Sequence, residues 1–291
     1  MNCRSILLMP IYKQYDKEAL DRQYTNRLYV PDFATYIDRW ESLSRQTEKG
    51  YPVFKDIAYG KSPREQLDIY PSPGPSSKTL VFIHGGYWHK FDKADSQFIA
   101  KAFRMYGVTT VIINYPLAPA VSMDQIVRSC CEAIHWLYKN IPGYNGDPNQ
   151  IYVAGHSAGG HLAAMLLATD WKQYNLAKDV IKGVCAISGI FNLVPIRLSY
   201  LNEVLSMDTA TAIRNSPVQL SPETGCPLVI AVGGDETDEF LDQSHELYNS
   251  WKEIIPAEMV QIRGINHFSI LETILDTSSK LHQVMRKLLK I

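Results

Sequence analysis

Apolar runs and helical patterns alternate along most of the chain, and this alternation limits the folds that the chain can adopt. Short runs rich in valine and isoleucine are apolar on both faces, which is typical of strands buried in a parallel sheet. Longer stretches with helical spacing separate them. The sequence therefore predicts an α/β fold, with a mostly parallel central sheet and helices on both faces. The predicted strands are Val53–Tyr59, Gln66–Tyr70, Thr79–His84, Val108–Tyr115, Ile151–Gly155, Gly183–Ser188, Pro227–Gly233 and Ala257–Arg263. The predicted helices are Asp92–Met105, Met123–Asn140, one that follows Ser157, Asp238–Trp251 and Ser269–Leu289.

The pattern indicates one domain over residues 1–291, a length that α/β folds often reach as a single unit. From Lys13 to Gly50 the sequence is polar and aromatic with helical spacing, and residues 1–50 are predicted to form an N-terminal helical segment on the surface of the domain. The first two strands precede any crossover helix and predict an antiparallel edge. The alternation lapses over residues 190–222, which predicts a small cap above the carboxyl edge of the sheet.

The composition excludes several classes of protein. A formal net charge of -1, from 29 basic and 30 acidic residues, lacks the basic footprint of a nucleic-acid-binding protein. No apolar run approaches the length that spans a bilayer, and the run Ile6–Met9 is too short for a signal peptide. Five cysteines without a C-x-x-C pair indicate a reducing compartment. We expect a cytoplasmic protein that binds a small molecule and neither nucleic acid nor membrane. The sequence leaves open whether the protein forms a homodimer.

The segment G-H-S-A-G, Gly155–Gly159, is a serine turn between a predicted strand and a predicted helix. A serine at such a turn matches G-x-S-x-G, the nucleophile elbow, in which the side chain is pushed out of the core. Ser157 then stands at a helix N-terminus, where the amides favour developing negative charge. A helix-capping role is the alternative, but the flanking glycines and the strand–turn–helix frame favour a nucleophile.

The segment H-G-G-Y-W, His84–Trp88, follows an earlier strand and is called the oxyanion loop below. Acyl transfer needs N–H donors aimed at the oxygen that becomes negative, and glycine lets the backbone approach a ligand. The candidate donors are the amides of Gly86, Tyr87 and Ala158. An ordinary turn is the alternative, but the loop precedes a serine turn, as an oxyanion hole requires.

A general base is predicted at His267, in the loop between the last strand and the final helix. This loop opens on the same sheet edge as the serine turn. His84 and His156 lie inside the two motifs and are expected to orient loops, while the other histidines are expected to pack or to be solvated. The acid that orients the base is expected after the strand that ends at Gly233. The carboxylate three residues after that glycine is Glu236, and Asp235 and Asp238 stay open because a one-residue bulge would change the register.

The chain order serine, acid, histidine is that of the α/β-hydrolases. H-G-G-Y-W and G-H-S-A-G-G-H-L-A-A-M-L-L-A-T-D-W resemble the kynurenine formamidase (arylformamidase) branch of the esterase/lipase α/β-hydrolases. Q-L-D-I-Y, R-N-S-P and D-E-F-L-D-Q-S also match, so the resemblance covers nearly the whole chain from about Tyr24. Tyr87 replaces the third glycine of the related lipases, which agrees with this branch.

The resemblance implies hydrolysis of N-formylkynurenine to kynurenine and formate in tryptophan breakdown, with no metal and no cofactor. It implies Ser157 as nucleophile, His267 as base and the oxyanion loop as the oxyanion site. Trp88 and Tyr87 are candidates to stack on an aryl ring of the substrate, and packing of the loop against the domain is the alternative. The same residues serve a carboxylesterase for short acyl or aryl esters, and an inactive hydrolase fold that acts as a ligand receptor is a third reading.

Overall fold

The computed structural model describes residues 9–74 and 77–291. Cys3, most of the apolar run before Pro10, and two residues of the predicted loop at 71–77 lie outside these ranges. Within them, one eight-stranded sheet forms the centre of the molecule, with the spatial order β1-β2-β4-β3-β5-β6-β7-β8. Its strands are β1 Phe54–Ala58, β2 Gln66–Tyr70, β3 Ser77–Ile83, β4 Thr109–Ile113, β5 Gly146–His156, β6 Ile181–Ile187, β7 Leu228–Gly233 and β8 Ala257–Ile262.

The sheet is mostly parallel, as the sequence predicts. Only β2 runs against its neighbours, pairing antiparallel with β1 and with β4. All pairs from β4 to β8 are parallel. The carboxyl ends of β3, β5, β7 and β8 therefore lie along one edge of the sheet, and the loops that carry the predicted site residues all follow these strands.

Helices cover both faces of the sheet. Their bounds are α1 Lys17–Gln23, α2 Phe33–Gly50, α3 Ala100–Arg104, α4 Met123–Asn140, α5 Ala158–Leu167, α6 Val194–Leu198, α7 Asn202–Leu205, α8 Thr209–Arg214, α9 Asp238–Trp251, α10 Ser269–Glu272 and α11 Lys280–Leu289. Short 3₁₀ turns are Asn26–Leu28, Lys93–Ile99, Ile141–Tyr144, Trp171–Tyr174, Pro217–Gln219 and Thr273–Leu275. Successive residues of a strand point to opposite faces. Val81 accordingly packs in one core with residues of α4, α5 and α9, while Phe82 packs in the other with residues of α2, α3 and α11.

Local capping explains why two helices have the bounds that the sequence predicts. Ser122 and Gln125 form a capping box that starts α4 at Met123, and α9 begins with two acidic residues that suit the positive end of the helix dipole. Two predicted helices were wrong in detail. The stretch Asp92–Met105 is largely 3₁₀, and the final helix is interrupted because Ser279 caps a new helix start.

Two irregular segments lie beside the carboxyl edge of the sheet. The N-terminal segment, residues 9–50 in the described part of the chain, contains α1 and α2. The cap segment, residues 190–222, contains α6, α7 and α8. The N–H of Tyr200 in the cap segment donates to the Asp21 carboxylate at 2.8 Å, so the two segments contact each other.

The four cysteines in the described part of the chain, Cys130, Cys131, Cys185 and Cys226, are buried free thiols. Burial raises the pKa of the Cys226 thiol to about 11 and that of Cys185 further still. Over residues 9–74 and 77–291, no helix has both the length and the apolar character needed to cross a bilayer.

Candidate active site

The serine turn is a sharp connection between β5 and α5. Ser157 has φ 56° and ψ -118°, outside the regions that residues with a Cβ favour. A Cβ on Gly155 would lie 2.1 Å from the Gly159 oxygen, and one on Gly159 would lie 2.0 Å from the Ile83 oxygen. The turn therefore requires glycine at both positions, and it projects the serine away from the strand.

The backbone around Ser157 presents the amide of Ala158 as a candidate donor for a ligand. The N–H of Ser157 donates to the Ile187 oxygen of β6 at 2.8 Å. Ala158 is the first residue of α5, and the first amides of a helix have no partner within the helix. Ser157 itself is only 3% exposed. A Cβ on Gly85 would lie 3.1 Å from the Ser157 Cβ, which brings the oxyanion loop directly against the serine.

The oxyanion loop has an unusual backbone. Gly86, Tyr87 and Trp88 have φ values of 102°, 50° and 60°, so three successive residues have positive φ. A Cβ on Gly86 would lie 2.3 Å from the Lys90 oxygen. The amides of His89 and Lys90 both donate to the Gly86 oxygen, at 3.1 and 3.0 Å. This tight turn needs glycine at 86 and directs its backbone toward the serine turn.

Trp88 does not lie where it could bind substrate, contrary to the sequence-based expectation. Trp88 is fully buried in the core, and its indole Nε1 donates to Nδ1 of His161 at 3.1 Å. The two rings meet edge to face at 5.0 Å. Trp88 has a positive φ and a side chain directed into the core, and it does not line the cavity beside Ser157. It holds the loop to the core of the protein.

His267 is held by Glu236. Its Nδ1 lies 2.6 Å from the Glu236 Oε2, and the carboxylate side chain is fully buried. The other carboxylate oxygen, Oε1, accepts from Ser188 Oγ at 2.5 Å and from the Gly233 amide at 2.8 Å. The two carboxylates that the sequence left as alternatives, Asp235 and Asp238, are exposed. Among these three acids, the structure brings Glu236 to the histidine.

The backbone and ring of His267 are also fixed. His156 Nε2 donates to the His267 carbonyl oxygen at 2.9 Å, and the Phe240 ring packs 4.6 Å from the imidazole. Burial lowers the pKa of His156 well below its ordinary value, and the neighbouring His267 lowers it further. His156 is therefore a neutral donor that orients the histidine loop, as the sequence predicts.

Ser157, His267 and the oxyanion loop line one cavity of about 240 Å³. Aromatic side chains form a large part of its wall. The aromatic lining residues are Tyr24, Phe33, Trp40, Tyr87, Phe91, Tyr200 and Phe268. Two exposed cations, Arg27 and Lys90, stand among the lining residues, together with one partly buried acid, Asp95. The cavity therefore combines a hydroxyl and an imidazole with space for an aromatic group and positive charge for an anion.

Sequence reasoning missed much of this wall. Phe33, Ile37 and Trp40 share one face of α2, and that face lines the cavity rather than merely covering the domain. Their spacing in the sequence could have indicated this, because three large apolar residues on one helix face are expected to be covered by another surface. The burial of Glu239 was not predicted either: it is fully buried and accepts from the Tyr24 hydroxyl at 2.9 Å.

Comparison with known proteins agrees with the geometry. The BD-FAE family model matches residues 67–250. Kynurenine formamidases of Salmo salar and Danio rerio are 33% and 31% identical to the chain, over 97% of this chain and 99% of each relative. A solved structure of a candidate thioesterase from Silicibacter sp. is 30% identical, with a TM-score of 0.82 over 91% of this chain and 98% of that one. Esterase B of Lactobacillus rhamnosis, 15% identical over 91% and 96% of the two chains, shares the fold with a TM-score of 0.69.

An eight-stranded, mostly parallel sheet with a serine turn after its fifth strand defines the α/β-hydrolase class. The predicted fold class is thereby confirmed, and the protein is a hydrolase. Within that class, the chain belongs to the kynurenine formamidase branch of the esterase/lipase α/β-hydrolase family.

Proposed function

We propose that the protein is a serine hydrolase that cleaves N-formylkynurenine, an aryl formamide, to kynurenine and formate. The observation that carries this proposal is the 2.6 Å contact between His267 and Glu236 at the cavity that also contains Ser157. The names and full-length coverage of the Salmo salar and Danio rerio relatives support the choice of substrate. The reaction would belong to tryptophan breakdown.

In the first half of the proposed reaction, Ser157 attacks the formyl carbonyl. Because Glu236 accepts the hydrogen bond from Nδ1 of His267, the Nε2 lone pair is the one left to take the serine proton. The ring then carries a positive charge beside the buried carboxylate. His267 returns this proton to the aniline nitrogen as the C–N bond breaks, which releases kynurenine and leaves a formyl ester on Ser157.

In the second half, a water molecule gives a proton to His267 and attacks the formyl ester. The proton passes to Ser157 as the ester bond breaks, and formic acid leaves and ionises to formate. The amides of Gly86, Tyr87 and Ala158 would stabilise the oxygen that becomes negative in both halves. One such donor is typically worth about 3–4 kcal/mol of activation free energy, and the N-terminus of α5 adds a favourable dipole.

The cavity lining supports an aromatic, anionic substrate. A formyl group is small, so specificity must come from the leaving group. Phe33, Trp40 and Phe268 offer aromatic surface for an aryl ring. Arg27 and Lys90 offer positive charge for the amino-acid carboxylate of N-formylkynurenine.

A carboxylesterase acting on short acyl or aryl esters is the second candidate. The same hydroxyl, imidazole and oxyanion donors serve esters, and the likeness to the Silicibacter sp. candidate thioesterase favours this reading. The two functions differ in the leaving group, since an aniline must be protonated as it leaves and a phenolate need not be.

Turnover of N-formylkynurenine and p-nitrophenyl acetate by the same preparation separates the two candidates. We expect a higher kcat/KM for the formamide, and loss of both activities in Ser157→Ala. Ester cleavage without any formamide cleavage would contradict the formamidase proposal and leave the esterase. Full formamide activity in Ser157→Ala would contradict the serine mechanism.

The cationic residues of the cavity give a finer test of the substrate. Arg27→Gln and Lys90→Gln should each raise KM for N-formylkynurenine about three- to tenfold, because each removes a charged partner of the carboxylate. Neither should change KM for the uncharged p-nitrophenyl acetate. Arg45→Gln, a surface change on α2 outside the cavity lining, is the matched control. Equal effects on both substrates would contradict carboxylate binding.

A further inference from the structure

The oxyanion loop cannot be held in place by its own backbone preference. Tyr87 and Trp88 both have positive φ, a conformation that residues with a Cβ rarely adopt and that tertiary contacts must maintain. The position of the Gly86 and Tyr87 amides therefore depends on what the side chains of the loop contact.

On one side, Trp88 ties the loop to the core. Its indole donates to His161 at 3.1 Å, and its carbonyl oxygen accepts from the Ala118 amide at 2.9 Å. His161 is itself held, with Nε2 donating to the Asn215 oxygen at 2.7 Å. This side of the loop is fixed by fully buried groups.

On the other side, Tyr87 ties the loop to the N-terminal segment. Its phenol donates to the Tyr24 carbonyl oxygen at 2.6 Å, and the Asn26 amide donates to the phenol oxygen at 3.4 Å. Burial raises the pKa of the Tyr87 phenol well above its ordinary value, and the neighbouring Tyr200 and Glu236 raise it further. The phenol therefore keeps its proton and remains a donor.

The acceptor of this bond is firmly placed. The hydroxyl of Tyr24 donates to Glu239 at 2.9 Å and accepts from the Gln243 amide at 2.8 Å. Lys13 donates to the same carboxylate at 2.9 Å. Glu239 and Gln243 belong to α9, the helix that begins directly after the loop of Glu236. The Tyr24 carbonyl is thus fixed to the part of the structure that carries the acid.

We propose that Tyr87 is a positioning residue, whose phenol anchors the oxyanion loop to the Tyr24 carbonyl and so aims the Gly86 and Tyr87 amides at the acyl oxygen. The proposal rests on the serine hydrolase function proposed above. It concerns the side chain of Tyr87, whereas the proposed oxyanion donor is its backbone N–H. The N-terminal segment then takes part in catalysis without touching the reacting atoms.

Tyr87→Phe removes only the anchoring hydroxyl. A misplaced donor weakens stabilisation of the transition state more than binding of the ground state. We expect kcat for p-nitrophenyl acetate to fall about tenfold, less than the loss of a whole oxyanion donor, while KM changes by less than about twofold.

The second substrate is the corresponding thionoester, in which sulfur replaces the carbonyl oxygen. The ratio of kcat/KM for the two substrates does not depend on how much of the protein is folded. Sulfur accepts hydrogen bonds weakly, so its tetrahedral intermediate depends less on the oxyanion amides. We expect Tyr87→Phe to lower the ratio of kcat/KM for the ester over the thionoester about fivefold or more.

Two further variants complete the design. Tyr152→Phe removes another buried phenol, which donates to the Gln150 side chain at 3.2 Å within β5 and outside the cavity lining. It should leave the ester to thionoester ratio unchanged, whatever its effect on the denaturation midpoint. Asn26→Ala, which removes the longer bond to the phenol, should lower the ratio less than Tyr87→Phe does.

The outcomes separate this inference from the proposed function. An active wild-type protein with an unchanged ratio in Tyr87→Phe would overturn the positioning role and leave the hydrolase proposal standing. An equal fall of the ratio in Tyr152→Phe would also overturn it. A wild-type protein that cleaves neither ester nor formamide would contradict the proposed function, and the positioning role with it.

Discussion

The serine turn and the N-terminal segment meet at one cavity but are held by different forces. The turn depends on backbone atoms packed so closely that no Cβ fits at Gly155 or Gly159. The part of the N-terminal segment around Tyr24 also depends on polar side chains distant in sequence, as in the bond from Tyr24 to Glu239. A substitution that adds a Cβ at the turn clashes with backbone atoms and disrupts the whole turn, whereas a substitution in the segment removes one hydrogen bond and leaves the others. Perturbing the turn should therefore remove function outright, and perturbing the segment should have graded effects.

The largest effect should come from Gly159→Ala. The new methyl group would lie 2.0 Å from the Ile83 oxygen and 2.7 Å from the His84 oxygen. Both are backbone atoms of the sheet and the oxyanion loop, and neither can move away cheaply. We expect destabilisation of about 3–5 kcal/mol or more, with no measurable hydrolysis.

Gly225→Ala is the matched control, because a Cβ there meets no atom within 4 Å. Urea denaturation followed by circular dichroism would measure both variants. A Gly159→Ala protein as stable and active as Gly225→Ala would show that the turn is not held by packing.

The next largest effect should come from the acid that contacts His267. Glu236 and Glu239 are neighbouring acids with fully buried side chains, one bonded to the catalytic candidate His267 and the other to Tyr24. Glu236→Gln should lower kcat by a factor of about 10³–10⁴, because a neutral amide cannot stabilise the charged imidazole. Glu239→Gln should lower kcat by no more than about tenfold and mainly reduce stability. Steady-state kinetics with p-nitrophenyl acetate would contradict this assignment if Glu239→Gln were the more damaging change.

Much of this site could be predicted from sequence because its determinants are local. The glycines at 155 and 159 and the strand–turn–helix frame fix Ser157, and the position after β8 singles out His267. The register from Gly233 leads to Glu236, and the geometry selects it because the Gly233 amide reaches back to its carboxylate.

The rest depends on contacts between distant parts of the chain. The inward side chain of Trp88 accompanies a positive φ, which residue types do not reveal at a non-glycine position. Burial of Glu239 depends on Tyr24, 215 positions earlier in the chain. The sequence shows the aromatic face of α2 as a pattern, but it does not show that this face lines the cavity beside Ser157.

Acid should weaken the region of the serine turn specifically. Burial lowers the pKa of His84 and of His161 to about 4, below the ordinary 6.5. The unfolded chain then takes up protons that the folded chain excludes, so stability is complete above pH 6.5 and falls as the pH drops toward 4. Each histidine should cost on the order of 2 kcal/mol at pH 5.

The N-terminal segment contains no histidine between residues 9 and 50, so this loss arises around the turn. Urea midpoints at pH 7, 6 and 5 would measure it. A midpoint that stays level or rises as the pH falls would contradict the neutral, buried state of these histidines.

The smallest of these effects should come from Tyr24→Phe. It removes the hydroxyl that donates to the buried Glu239 and accepts from Gln243. We expect a loss of about 2 kcal/mol in the free energy of unfolding. Tyr29→Phe changes an exposed tyrosine of the same segment and should stay within about 0.5 kcal/mol of the wild type. Equal stability of the two variants would show that polar contacts do not hold the segment.

Covalent labelling by a fluorophosphonate tests the central claim most directly, namely that Ser157 is a nucleophile activated by His267. Mass spectrometry of the intact protein should show one adduct, and peptide mapping should place it on Ser157 and not on Ser96, the other serine that lines the cavity. The adduct should be absent in Ser157→Ala. An unlabelled wild-type protein, or an adduct that persists in Ser157→Ala, would contradict the account.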